Sequence, residues 1–308
     1  MQTRPVSFYS DGVRLDALLQ LPEGAAPDAG WPVAVFCSGF QGLKELIPGK
    51  FWDALTDAGI ACFAFDYRGF GTSDGERGRF IVGEQLADVV NAVTRVLHEP
   101  DIDAERLGLI GWGFGGGLVV QAGADDERVR AVACLNGIGD GARAVRDSRS
   151  YADWLALQER IARDRVQRVL TGRSEVVSPW EVVPLDTRTR GDVDREMYAK
   201  HERFGLDVTL QSAQSYYAFR PEGAAPRLSP RPLLIVHGTH NTLHPIDEAR
   251  SLYAHAREPK RLVELPGAVH LDWIERDHPL NASTLRLLSD WLHEAFAGDR
   301  PNRALAQG

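Results

Sequence analysis

The stretch that decides the fold runs from Arg106 to Val120 and reads RLGLIGWGFGGGLVV. It opens with a short apolar run, passes through a turn dense in glycine, and continues into residues 118–122, which favour a helix. The turn, GWGFG at residues 111–115, has the frame of the G-x-S-x-G motif, in which a strained serine stands between a strand and a helix. Gly113 occupies the serine position, so the sequence predicts a strand–turn–helix unit without its nucleophile.

Outward from this stretch, strand-like and helix-like segments alternate along the chain. Alternating apolar and polar residues on both sides of Asp11-Gly12 predict a hairpin. Buried strands are predicted at residues 32–37, 60–65, 129–135, 232–237 and 261–265, and helices at 44–58, 83–98, 246–256 and 284–296. This alternation predicts a doubly wound, mostly parallel sheet with helices on both faces.

Two further motifs accompany the glycine-rich turn. DYRGFGTSDG at residues 66–75 follows a predicted strand, and LPGAVH at residues 265–270 places a histidine in the loop after the last strand. Together with residues 111–115, these motifs resemble those of the α/β-hydrolase family in kind and in order. The resemblance implies that the predicted sheet is an α/β-hydrolase sheet.

The same resemblance predicts how the chain is divided. Residues 141–227 interrupt the alternation because they are helical in pattern and strongly charged. We interpret this segment as a helical cap inserted after the sixth strand, where the family carries one. Residues 1–140 and 228–297 then form the α/β-hydrolase core, and residues 298–308 form a loose C-terminal tail.

The resemblance also implies which residues carry the chemistry, because the family's triad runs along the chain as nucleophile, acid and histidine. His270 is then expected to face the active pocket at the vacated position of Gly113. Asn241 stands where the family carries aspartate, and its side chain could accept the Nδ1–H of an imidazole. Asp140, just after the sixth strand, is a second candidate to orient His270, with capping of the following helix as its other interpretation. Both candidates stay open at this point.

An oxyanion hole requires two backbone amides aimed at one point. The resemblance assigns one of these amides to Phe114, directly after Gly113, and the other to Phe40 in the loop after the third strand. Neighbours of these amides, Gly39, Gln41 and Trp112, are expected to line the substrate pocket.

Four further interpretations are weaker. Ser38 or Cys37 could replace the missing nucleophile, but each would lie beside the oxyanion donors rather than opposite them. A histidine cluster could bind a metal, but its spacing matches no zinc signature; it comprises His237, His240, His244 and His270. Arginines of the cap could hold an anionic substrate group, although a solvated helix face is the simpler interpretation; they are Arg160, Arg163, Arg165, Arg168 and Arg173. Cap aromatics could line an apolar pocket or merely pack; they are Trp154, Trp180, Tyr216 and Tyr217.

Composition limits the partners. A chain of 308 residues with a net charge of -8 is long enough for one large α/β domain with an insertion and argues against nucleic acid. Three scattered cysteines fit reduced core thiols, and no apolar run is long enough to span a membrane. We expect a cytoplasmic protein with a small-molecule substrate or ligand, no cofactor, no metal and no membrane partner, and we leave a homodimer open.

Two classes of function follow. The first is an enzyme that acts on a small carbonyl or ester-type substrate without a serine acyl-enzyme, with His270 as general base and the Phe40 and Phe114 amides as oxyanion hole. The second is a catalytically inactive homologue that binds a small ligand, since Gly113 and Asn241 both depart from the triad. An engineered serine-to-glycine variant is a third explanation, which would not account for Asn241.

Overall fold

A computed structural model describes residues 2–298, whose main feature is one sheet of eight strands. The ten strands of this part of the chain are β1 (Gln2–Ser10), β2 (Val13–Leu21), β3 (Trp31–Cys37), β4 (Ala61–Phe65), β5 (Ile102–Trp112), β6 (Ala131–Leu135), β7 (Val176–Val177), β8 (Val208–Thr209), β9 (Leu233–Gly238) and β10 (Lys260–Leu265). The large sheet has the order β1-β2-β4-β3-β5-β6-β9-β10, and β7 pairs only with β8. In the large sheet, the neighbouring strands from β4 across to β10 pair in parallel, whereas β2 pairs antiparallel with β4. Strands β1 and β2 form the predicted antiparallel hairpin.

Helices connect these strands. They are α1 (Trp52–Asp57), α2 (Val82–Val96), α3 (Phe114–Asp125), α4 (Gly141–Arg146), α5 (Tyr151–Thr171), α6 (Pro179–Val182), α7 (Thr187–Val193), α8 (Leu210–Ala218), α9 (Ile246–His255) and α10 (Asn281–Ala297). Two glycines of β5 show that helices cover both faces of the sheet. Gly108 faces α10, and Gly111 faces α3. Because successive residues of a strand point to opposite faces, these two positions, three residues apart, lie on opposite faces of the sheet. The predicted α/β-hydrolase fold with a doubly wound, mostly parallel sheet is confirmed.

The helix predicted at residues 44–58 is much shorter than expected. Only Trp52–Asp57 is α-helical, and a 3-10 turn at Pro48–Lys50 precedes it. Before that turn, the backbone N–H of Lys44 donates to the Asp66 carboxylate at 2.8 Å, so the chain here follows a side chain instead of a helical hydrogen-bond pattern.

The carboxyl ends of the parallel strands meet at one edge of the sheet and position the site. Cys37 pairs with Gly111, and Trp112 pairs with Leu135, so β3, β5 and β6 end side by side. Strands β3 to β6 are buried along nearly their whole apolar length, as expected for a parallel sheet covered on both faces. The loops that leave this edge therefore start from a rigid base.

We call residues 141–227, between β6 and β9, the cap segment. It contains α4 to α8 as predicted, but also the two-stranded β7–β8 hairpin, which the helical pattern did not indicate. Its longest helix, α5, begins with a Ser150 cap and ends at Gly172 in the left-handed conformation. The last helix, α8, brings the fully buried Tyr216 against the core.

None of the helices within residues 2–298 combines the length and apolar character needed to cross a bilayer. Beyond Gly298, the predicted tail lies outside the described residues.

Candidate active site

The turn after β5 keeps the backbone of a nucleophile elbow. Gly113 has φ 57° and ψ −124°, and its N–H donates to the carbonyl oxygen of Leu135 at 2.9 Å. A residue with a side chain is strained by about 1–3 kcal/mol in such a conformation, whereas glycine adopts it freely. The turn therefore holds its shape without the serine.

The space that a side chain at position 113 would occupy faces two imidazole rings. A Cβ built on Gly113 would lie 3.6 Å from Nε2 of His270 and 3.5 Å from Cε1 of His244, which are ordinary van der Waals distances. The structure thus brings His270 to the elbow, and it adds His244, which the sequence analysis considered only as a metal ligand.

His270 is a buried, neutral base. Its ring lies edge to face against Trp112, with ring centres 5.7 Å apart, and only 6% of the residue is exposed. Burial lowers its pKa well below the usual 6.5, and the neighbouring rings of His244 and His237 lower it further. Its Nδ1 has no hydrogen-bond partner within residues 2–298.

Both residues predicted to orient His270 make their hydrogen bonds elsewhere. Asn241 accepts the backbone N–H of His244 at 3.1 Å, and its amide nitrogen lies 3.3 Å from Nε2 of His237. Asp140 caps α4, accepting the N–H groups of Ala142 and Arg143 at 2.8 and 2.9 Å. It also pairs with Arg220. Within residues 2–298, neither side chain forms a hydrogen bond to His270. The prediction that Asn241 or Asp140 orients His270 is therefore not supported by the structure.

His244 belongs to a buried pair with Tyr216. Its Nδ1 lies 2.9 Å from the carbonyl oxygen of Asn136, which can only accept, so Nδ1 carries the proton. Nε2 of His244 then accepts from the Tyr216 hydroxyl at 3.3 Å. Burial lowers the pKa of His244 to about 4 and raises that of Tyr216 well above 10, so both are uncharged at neutral pH.

Asn136, at the end of β6, holds the two histidine loops together. It has φ 47° and is fully buried. Its Nδ2 donates to the carbonyl oxygen of His270 at 2.8 Å, and its Oδ1 accepts the N–H of Gly238 at 2.9 Å. A polar residue directly after a buried strand was the available sequence signal for this role, and the sequence analysis did not use it.

The loop after β3 approaches the elbow closely at Gly39. A Cβ on Gly39 would lie only 2.9 Å from the carbonyl oxygen of Trp112 and 3.6 Å from the amide nitrogen of Phe114. Phe114 begins α3, where N–H groups have no partner inside the helix, and the Phe40 amide makes no hydrogen bond to another backbone group of residues 2–298. The two amides assigned to an oxyanion hole are thus on adjoining segments.

Gln41 and Trp112 are more enclosed than pocket-lining residues usually are. Gln41 is 2% exposed with φ 67°, and neither atom of its amide group has a partner within residues 2–298. Trp112 is also buried, and its indole packs against Trp273 as well as His270.

A buried ion pair holds the far end of the loop after β3, which carries Phe40. The ammonium of Lys44 lies 2.7 Å from Asp66, and both side chains are almost completely buried. Asp66 also accepts the backbone N–H of Thr72 at 3.0 Å. The DYRGFGTSDG motif therefore supports the loop that carries Phe40, since its first residue holds that loop in place.

Aromatic rings of the core and the cap segment surround the elbow. Tyr216 packs on Phe114 with ring centres 4.2 Å apart and on Phe40 at 5.6 Å. Phe80 and Phe219 contact the Phe114 ring from other sides. The side chain of Phe114, directly after Gly113, is thus packed among aromatic rings.

The rival interpretations find little support in the described residues. Burial raises the pKa of Cys37 to about 12, and the Ser38 hydroxyl donates to the carbonyl oxygen of Leu43. No group of three histidine, cysteine, aspartate or glutamate side chains within residues 2–298 is arranged to hold a metal. In the cap segment, Arg160 pairs with glutamates and Arg168 pairs with Asp164.

Comparisons with known proteins agree with the fold. The Hydrolase_4 family model, described as serine aminopeptidase S33, matches residues 33–277. A 31.7 kDa protein from the traX-finO intergenic region of Escherichia coli is 28% identical over 267 residues, which cover 86% of this chain and 91% of that protein. The polyketide transferase grgF of Penicillium sp. is 28% identical over 251 residues, covering 80% of this chain and 83% of the transferase.

Solved structures show the same fold. The α/β hydrolase GrgF from Penicillium sp. sh18 superposes with a TM-score of 0.78 at 23% identity, covering 96% of this chain and all of that one. The hypothetical protein PA2218 from Pseudomonas aeruginosa superposes with a TM-score of 0.82 at 25% identity, covering 96% and 94% of the two chains.

Proposed function

Because the chain belongs to the serine aminopeptidase S33 family of α/β hydrolases, we propose that it is an enzyme that acts on a small carbonyl or ester-type substrate without a serine acyl-enzyme. His270 is the general base of this proposal. The observation that carries it is the 3.6 Å between Nε2 of His270 and the position that a side chain at Gly113 would occupy. A water molecule or a substrate atom in that space would lie within reach of the imidazole.

The hydrolytic form of the reaction balances without a covalent intermediate. Nε2 of His270 accepts a proton from water while the water oxygen bonds to the carbonyl carbon. The amides of Phe40 and Phe114 stabilise the negative charge that develops on the carbonyl oxygen. The bond to the leaving group then breaks, and the leaving oxygen takes the proton from Nε2. A substrate C–H in place of water gives an enolate at the same amides. In the isomerase form the proton on Nε2 then returns to a different carbon of the substrate, and in the lyase form a bond β to the carbonyl breaks and the leaving group takes that proton.

The surroundings of Gly113 favour an apolar acyl or carbonyl substrate. The rings of Phe40, Phe114 and Tyr216 offer apolar contact area beside the elbow, and the side-chain atoms nearest the space at Gly113 belong to the imidazoles of His244 and His270. Similarity to a polyketide transferase also supports an acyl-type substrate.

A ligand-binding homologue without catalysis is the second candidate, and one observation favours it. Because Nδ1 of His270 has no partner in the described chain, the charged imidazolium would lack a carboxylate to stabilise it. Burial disfavours that charge further, as the lowered pKa shows. Such a site would bind a small apolar carbonyl compound and release it unchanged.

Turnover of a panel of short-chain esters and thioesters tests the proposal. His270→Gln should reduce kcat/KM by at least about 100-fold, the usual lower range for removing a general base. His255→Gln, at an exposed histidine on α9, is the matched control and should leave kcat/KM unchanged. Equal turnover by both variants would overturn the role of His270. Thermal stabilisation by a ligand without any product would favour the binding homologue instead.

A further inference from the structure

The outer side of α5 carries most of the large apolar residues that are exposed in the described chain. Eight large apolar residues of residues 2–298 are exposed, and five of them lie on this single helix. They are Tyr151 (74% exposed), Leu155 (45%), Val166 (59%), Val169 (81%) and Leu170 (77%). Exposed apolar residues scattered singly are ordinary, but a cluster on one element marks an interaction surface.

The spacing of these residues places them on one face of the helix. Leu157, Ile161 and Asp164 are its buried positions and face the rest of the protein. At 100° per residue, Leu155 and Val166 lie on the opposite side, and Tyr151 and Leu170 flank them. We call Tyr151, Leu155, Ala162, Val166, Val169 and Leu170 the outer face of α5. Nothing in the described chain covers it.

This face is complementary to itself. If two copies of α5 pack antiparallel about a two-fold axis between residues 160 and 161, Tyr151 of each copy is level with position 170 of the other. Leu155 is likewise level with position 166 of the other copy. The i, i+4 spacing of these residues matches the rows along which packed helices interdigitate. Ala162, next to the axis, has a small side chain that allows close approach of two helices.

Two charged residues beside the face lie close to the same axis, since positions 159 and 163 are centred on residue 161. Glu159 and Arg163 are both largely exposed, and their ion pair within the helix is loose at 3.8 Å. In an antiparallel pair of helices, Glu159 would lie beside Arg163 of the partner subunit, and Arg163 beside the partner's Glu159. Mixed charge on the face and a net charge of -8 do not suit an anionic lipid surface.

We propose that the outer face of α5 is an isologous dimer interface, with a second copy of this chain packed antiparallel across it. In a two-fold dimer the same patch meets itself on both subunits, which is what the exchange of Leu155 with Val166 provides. The interface lies on the cap segment and is independent of the proposed catalytic role of His270.

Sedimentation velocity of the full chain from about 1 µM to about 100 µM is the primary test. We expect a reversible monomer–dimer equilibrium. Val166→Glu should weaken association by at least about tenfold because it buries an unpaired charge within the interface. Tyr9→Glu is the control, since Tyr9 is also an exposed apolar residue but lies on β1. A native chain that stays monomeric throughout, or that binds anionic vesicles as a monomer, would overturn the proposal.

Charge reversal tests the antiparallel arrangement without relying on apolar residues. Glu159→Arg and Arg163→Glu should each weaken dimerisation because they set like charges against each other. The double variant exchanges both charges and should restore it. A double variant no better than the single ones would rule out this arrangement.

Disulfide trapping locates the axis. Ala162→Cys should form a covalent dimer on mild oxidation, whereas Ala156→Cys, an exposed alanine on another side of the same helix, should not. The native cysteines will not compete, since Cys37, Cys62 and Cys134 are buried. Equal cross-linking of the two variants would contradict the proposed interface.

Discussion

Two loops at the same edge of the sheet have changed in different ways. The elbow after β5 has lost its side chain at Gly113 but keeps the strained backbone, with φ 57° and ψ −124°. The loop after β9 has asparagine at position 241, where the α/β-hydrolase motif has aspartate, and the side chain of Asn241 accepts the backbone N–H of His244. The backbone conformation of the elbow is thus compatible with a missing side chain, whereas the hydrogen bonds of the second loop depend on which side chain stands at position 241.

Local contacts explain why the elbow is robust. The N–H of Gly113 is held by Leu135 on the neighbouring strand, and Gly39 fits against the carbonyl of Trp112. Neither contact needs a serine. In the loop after β9, by contrast, the arrangement depends on the imidazoles of His237 and His244, whose nitrogens bond to carbonyl oxygens of the same region.

Restoring the serine has the largest expected effect. Gly113→Ser fits sterically, and its hydroxyl would lie near Nε2 of His270. We expect this variant to be labelled stoichiometrically by a serine-directed fluorophosphonate, at a stability cost of about 1–3 kcal/mol. Gly113→Ala, which has the same strain without a hydroxyl, should stay unlabelled, and so should the native chain. A folded Gly113→Ser that does not react would show that the elbow is not competent.

Gly39→Ala is expected to disturb the close backbone contact between the loop after β3 and the elbow. The added Cβ would lie 2.9 Å from the carbonyl oxygen of Trp112, so the loop after β3, which carries Phe40, must shift. Loss of one oxyanion donor typically reduces kcat about 100- to 1,000-fold, and we expect this range for Gly39→Ala. Gly49→Ala is the matched control, because no atom lies within 4 Å of its added Cβ. Unchanged kcat in Gly39→Ala would remove Phe40 from the oxyanion hole.

The buried imidazoles predict that stability falls in mild acid. Burial lowers the pKa of His237 and of His244 to about 4, against about 6.5 in the unfolded chain. Between these values the unfolded state binds more protons than the folded state. The free energy of unfolding should therefore decrease as pH falls from about 6.5 to about 4, by on the order of 3 kcal/mol for each histidine.

Denaturant titrations across this pH range would measure that decrease. His244→Asn removes one titrating group and should flatten the dependence, whatever its effect on stability at pH 7.5. His255→Asn, at an exposed position, should leave the dependence as it is. If the free energy of unfolding of His244→Asn fell with pH as steeply as that of the native chain, the proposed titration of His244 would be wrong.

Asn241→Asp should have the smallest effect on catalysis. A carboxylate there would still accept the N–H of His244, and it would meet His237 rather than His270. We expect kcat/KM to change by less than about threefold, within the range of a substitution that does not touch the reacting groups. An increase of several orders of magnitude would show that residue 241 does orient His270, as the sequence pattern suggested.

The fold and the elbow could be predicted from the sequence because they depend on local patterns. The glycines of residues 111–115 and the apolar strand before them specify β5, the turn and α3, and LPGAVH correctly placed His270 near the elbow. The Tyr216–His244 pair was not predicted, because 28 residues separate its members and their contact depends on how α8 packs. Motif position alone misassigned Asn241, since it does not report where a side chain points.

The most direct test of the central claim is a rapid-quench experiment on the native chain with the best ester or thioester of the panel. Product formation and the intact mass of the protein are followed through the first turnover. A general-base mechanism at His270 predicts product that accumulates linearly from time zero, with no acyl group on the protein. A burst equal to the enzyme concentration, with a matching increase in protein mass, would contradict it and show that another side chain serves as nucleophile.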